Sequence, residues 1–91
     1  MITVNRCGYD SRHMLVLNTC IPAGYEDYTL LLVKTNAFFE QNGILIDTPP
    51  GTAILYDRHV PIRYGCREPH YNDDWIHFEL HGDDTDLLQR L

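Results

Sequence analysis

Two aromatic residues and a histidine carry most of the chemistry open to this chain. Tyr64 and Trp75 each offer a flat π face and a polar tip. Such rings stack on the C–H faces of a small ligand while a few polar groups fix its hydroxyls. A small β-barrel can hold one ligand of that size in its interior. The same two residues would serve equally well as ordinary core aromatics, and the sequence leaves both roles open. His77 stands two residues after Trp75. Side chains alternate along a strand, so an inward Trp75 brings His77 inward, within reach of a ligand hydroxyl or as a hydrogen-bonded structural histidine. Lys34 closes the longest apolar run, on the parity of Tyr28, Leu30 and Leu32. A lysine at a barrel mouth snorkels its charge to water, and a ligand contact is the second reading.

Metal and covalent chemistry find less support. His77 and Glu79 would lie about 6 to 7 Å apart on a strand, close enough to share an ion, but His77 and His81 would lie about 13 Å apart. The chain has no His-x-His pair. We therefore expect no metal and no cofactor. No Ser-His-Asp or Cys-His set can be placed on neighbouring strands, and there is no Gly-rich phosphate loop, so the expectation is that the chain is not an enzyme.

The elements that must position these residues read as strands. Pro49-Pro50-Gly51 reverses the chain, because proline fixes φ and glycine tolerates the positive φ of a type II turn. Ala53 to Tyr56 is a short apolar strand, Asp57 to Pro61 is a second corner, and the chain leaves through Arg63-Tyr64-Gly65. Reversals about ten residues apart are the rhythm of an all-β barrel or sandwich. Upstream, Ile2 to Asn5 reads as a strand, Cys7 to Asp10 as a turn and Arg12 to Asn18 as a second strand. Glu26 to Thr35 is apolar on both faces and is expected to be central and covered on each side. Asn42-Gly43 between Ala37–Glu40 and Ile44–Asp47 signals a type I′ hairpin. Cys66 to Asp74 reads as a polar loop, and Trp75 to Leu80 as the last strand. Asp83 or Asp84 can cap a helix that would begin over 85–91, where the chain stops before the helix is long enough to be stable alone. The expectation is a fragment of seven or eight strands in a small barrel or jelly roll.

Composition narrows the partners. The 91 residues suit one domain, and the net charge is −6. The seven Lys and Arg are scattered, whereas a nucleic-acid-binding surface gathers its basic residues into a patch. Acidic residues gather near the end, Asp73 and Asp74 among them, and read as a solvated rim. The longest apolar run, Leu30 to Val33, is far too short to span a membrane. Three cysteines cannot all pair within one chain and form no C-x-x-C unit, which fits reduced thiols and a cytoplasmic setting.

The order of these motifs resembles the N-terminal cupin domain of AraC-family transcription regulators. Cys7-Gly8-Tyr9, Asp27-Tyr28-Thr29-Leu30-Leu31, the Asn42-Gly43 hairpin, Pro50 to Tyr56, Pro61-Ile62-Arg63-Tyr64-Gly65 and Asp74-Trp75-Ile76-His77-Phe78 follow one another over Cys7 to Leu80. The resemblance implies a cupin-like double-stranded β-helix over residues 1–82 and the start of a linker or dimerisation helix over 83–91. It also implies a small-molecule effector, often a sugar, a homodimer, and DNA contact only through a C-terminal helix-turn-helix domain that this chain lacks. In sugar-binding members the positions matching Tyr64 and Trp75 lie near the effector, and N-terminal residues reach the pocket, which brings Arg12 into the candidate set. Relatives often carry histidine after the proline of the second turn, where this chain has Ile62. That departure argues for a more apolar wall and against metal chemistry. The alternative is a stand-alone cupin, either a metal-dependent enzyme or a carbohydrate-binding module.

Overall fold

Alternation along Tyr71–Leu80 organises the molecule. Its odd positions Tyr71, Asp73 and His77 are buried towards one side, and Phe78 and Leu80 pack on the other. The computed structural model describes residues 1–14 and 16–82. In it the strands are β1 (Ile2–His13), β2 (Asn18–Ile21), β3 (Tyr28–Val33), β4 (Ala37–Gln41), β5 (Ile44–Thr48), β6 (Thr52–Tyr56), β7 (Ile62–Gly65) and β8 (Tyr71–Leu80).

They form two four-stranded antiparallel sheets, ordered β1-β8-β3-β6 and β2-β7-β4-β5. Successive strands mostly cross from one sheet to the other, which is the jelly-roll order and agrees with the all-β expectation. Leu31, Val33, Phe39, Tyr56, Ile62 and Tyr71 fill the space between the sheets. The cysteines are free and separate, with Cys66 buried and accepting the Leu17 N–H on Sγ at 3.2 Å.

The two tight turns follow their residues. Asn42 and Gly43 take φ of 54° and 80°, the left-handed pair that a type I′ hairpin requires. Gly51 takes φ of 88°, and its N–H bonds the Val33 carbonyl at 2.8 Å.

Three expectations change. The N-terminal strand, turn and strand are one long strand, β1, interrupted by bulges between Val4 and Arg6 and between Gly8 and Ser11. The residues that read as a turn form the second bulge, in which Asp10 takes φ of 53°. Arg12 and His13 finish β1, and β2 begins only at Asn18. β3 is central, between β8 and β6, but its outer residues Leu30 and Leu32 stay 38% and 42% exposed. Its second apolar face is therefore not fully covered. β8 starts at Tyr71, inside the expected polar loop. The helix start expected over 83–91 lies outside the described residues.

Candidate ligand cavity

The register of the first sheet lays its inward side chains out in rows. Arg6 stands opposite His77, which stands opposite Thr29. Gly8, Trp75 and Leu31 form the next row, and Ser11, Asp73 and Val33 the one after. Facing them on the second sheet, β7 turns Ile62 and Tyr64 inward. Together these rows border a half-open cavity of about 210 Å³, walled by Arg6, His13, Tyr25, Ile62, Tyr64, Asp73, Trp75 and His77 among others.

Trp75 fits because Gly8 lies beside it. A Cβ on Gly8 would fall 2.3 Å from the indole, so only glycine leaves room for the ring there. Trp75 Nε1 donates to Ser11 Oγ at 3.0 Å, which satisfies its polar edge. The indole lies edge-on to His77, with centroids 5.6 Å apart. Tyr64 stacks on Phe39 at 6.0 Å and tilts against Tyr71 at 5.9 Å. Burial pushes the Tyr64 phenol above its ordinary value and the Tyr56 phenol up to about 12, so both stay neutral donors.

His77 is held by a buried polar network. Its Nδ1 lies 3.1 Å from both Thr29 Oγ1 and Asp27 Oδ1. Burial works against the Asp27 charge, but the Asn5 amide and the His77 ring prevail and hold its carboxyl below the usual range. A carboxylate only accepts, so Nδ1 is the donor to Asp27. Tyr25 closes the network edge-on to His77 at 4.7 Å, with the Arg6 guanidinium 5.3 Å above its own ring.

Asp73 is 3% exposed, on the inward row beside Trp75. It belongs to the interior and not to the solvated rim that its acidic neighbours suggest. Tyr71 Oη donates to its Oδ2 at 2.8 Å. Burial nevertheless outweighs that bond and pushes the Asp73 carboxyl up.

The structure thus gathers Tyr64, Trp75, His77 and Ile62 around one cavity. Arg12 and Lys34 lie elsewhere. Arg12 pairs with Asp10 at 2.8 Å, and Lys34 pairs with Asp74 at 2.8 Å and Asp10 at 3.5 Å, over the Tyr9 ring. These groups sit on the opposite side of the first sheet, as the parity of Asp74 requires. The N-terminal residues that do reach the cavity are Arg6 and His13. Sequence reasoning missed them because the β1 bulges shift the alternation. It missed Asp73 by stopping the last strand at Trp75, although the period of two carried back from Trp75 puts Asp73 and Tyr71 on the same face.

A second cleft of about 960 Å³ runs between the β5 and β6 edges. Aliphatic residues such as Ile46, Ile54 and Val60 line it, with the Glu40–Arg63 pair at 3.4 Å. Its buried polar group is the Tyr56 hydroxyl, which is committed to the Arg63 carbonyl, so the smaller cavity, bordered by Asp73, His77 and Thr29, is the better site.

No protein-family model and no curated protein matches the sequence. Among solved structures, the chain is similar to a de novo designed double-stranded β-helix determined by solution NMR. The match has a TM-score of 0.53 at 15% identity and covers 82% of this chain and 100% of the designed one. The fold is a double-stranded β-helix. At that identity the likeness speaks for the backbone alone, and the function has to be argued from the cavity.

Proposed function

We propose that this chain is the effector-sensing and dimerisation domain of an AraC-type transcription regulator, holding a small molecule inside the barrel. The observation that carries the reading is the convergence of Tyr64, Trp75, His77 and Ile62 on one interior cavity with a buried carboxylate. Aromatic walls with a few fixed polar groups are the make-up of a small-molecule site. The effector would shift the balance between two arrangements of barrel, N-terminal strand and linker. DNA would be bound only by a further domain, so the coding sequence is expected to continue past Leu91 into a basic helical region. A reading frame closing at Leu91 would remove the regulator version. Free cysteines and the lack of any long apolar helix among the described residues agree with a cytoplasmic setting.

The test is a thermal-shift screen of a small-molecule library with sugars among it. A ligand that binds only the native state at 100 times its Kd adds about 2.7 kcal/mol to stability. Trp75→Ala is expected to weaken the best ligand by about tenfold or more, beyond what its own lower Tm accounts for. Unchanged affinity in Trp75→Ala would make the indole a core residue only.

A further inference from the structure

Arg6 and His13 stand at the cavity's exposed rim, and its buried carboxylate is Asp73. Asp73 receives a single hydrogen bond among the described residues, from Tyr71, and that bond occupies Oδ2. His77 Nδ1 is committed to Asp27 and Thr29. Trp75 has already spent its N–H on Ser11. Three aromatic faces, Tyr25, Tyr64 and Trp75, stand around these groups.

Building on the effector-binding reading, we propose that the cavity takes a small organic cation, an ammonium on a short aliphatic chain, with Asp73 as its counter-ion. The cations that line the cavity or act on Asp73 are Arg6, His13 and Lys34, and none of them is buried. Arg6 on β1 is exposed and engaged over Tyr25, and His13 on β1 is exposed against Tyr71. Lys34 is held by Asp74 and Asp10 on the far side of the sheet. Asp73 is therefore a carboxylate buried without a buried cation, an arrangement that costs the empty protein stability. An entering ammonium supplies the missing charge and N–H donors, the first of them for the Asp73 oxygen that Tyr71 leaves open. The aromatic faces attract the same cation through their quadrupoles. A neutral polyol would satisfy the acceptors and leave the charge unbalanced. The volume of about 210 Å³ matches about seven waters at roughly 30 Å³ each, which suits a ligand of a few carbons.

Trp75 is the sole tryptophan of the chain, so one indole N–H resonance reports on this cavity. Titration of the intact chain with butylammonium is expected to shift that resonance saturably, while 1-butanol, its neutral isostere, leaves it in place. Asp73→Asn keeps the shape and the Tyr71 bond, and is expected to lower butylammonium affinity by about tenfold or more. It should also raise the Tm of the empty protein at neutral pH, because a buried uncompensated charge is removed. Equal binding of butylammonium and 1-butanol, or undiminished affinity in Asp73→Asn, overturns the proposal. Shifts with pentoses or hexoses but none with butylammonium would overturn the cation and leave the effector reading standing. Silence of the Trp75 resonance towards both classes would overturn both.

Discussion

Gly65→Ala is expected to lower the melting temperature by roughly 12–24 °C. The residue ends β7, paired with Asn18 on one side and Phe38 on the other. A Cβ built there lies 2.0 Å from the Leu17 carbonyl oxygen and 2.9 Å from the Phe38 ring. The first of these is backbone and cannot swing aside. It is also pinned, because the Leu17 carbonyl accepts the Cys66 N–H at 2.9 Å and the Leu17 N–H meets Cys66 Sγ. Relief requires pulling β2 away from β7 and losing those bonds. Overpacking alone costs about 1–3 kcal/mol. With backbone bonds also lost, a cost of about 3 kcal/mol corresponds to the stated shift for a domain of this size. Gly43→Ala is the control. Its Cβ would meet nothing within 4 Å, and only its φ of 80° is strained, so the loss should stay near 1 kcal/mol. Circular-dichroism melts of the two variants decide the matter. Equal melting temperatures would show that the β2 edge of the second sheet can shift freely, against the close approach at Gly65.

The difference between the two glycines marks what the sequence could reveal. Asn42-Gly43 announces its own turn, because the φ angles are demanded by neighbours in sequence. Gly65 and Gly8 are needed by atoms far along the chain, Leu17 and Trp75, and nothing local signals them. The same distinction runs through the cavity. Trp75 and His77 were bound to share a face by the period of two, whichever face that was. Which face points inward was not legible, because β8 is apolar on both sides: Ile76, Phe78 and Leu80 outside, Tyr71 and Trp75 inside. Arg6 and His13 were hidden by bulges that break the alternation of β1. Asp73 was hidden by its company, since a carboxylate among other carboxylates reads as surface until the strand register buries it.

His77→Ala is expected to destabilise the protein by about 3 kcal/mol, the upper end for losing a hydrogen bond to a charged group. The ring donates to Asp27, meets Thr29, and fills the space between Tyr25 and Trp75. Its loss leaves the Asp27 side chain, 14% exposed, with only the Asn5 amide at 2.9 Å as a neighbouring side-chain donor. The pH dependence separates this from simple loss of volume. The folded pKa of Asp27 is depressed below 3.8. Its ionised form therefore stabilises the fold at pH values above the unfolded pKa, and that stability is lost as pH falls through and below it. Without His77, burial is opposed by one fewer donor, so the Asp27 pKa rises and acid unfolding begins at a higher pH. Asp10 and Asp74 are likewise held low, by Asn72 and Arg12 and by Lys34. They lie at the surface and titrate alike in both proteins, so they drop out of the comparison. In a double-mutant cycle, Asp27→Asn and His77→Ala should couple by more than about 1 kcal/mol at pH 7. That coupling should fade once Asp27 is protonated. A coupling that is small, or that persists unchanged in acid, would mean that the histidine supports the cavity by packing alone.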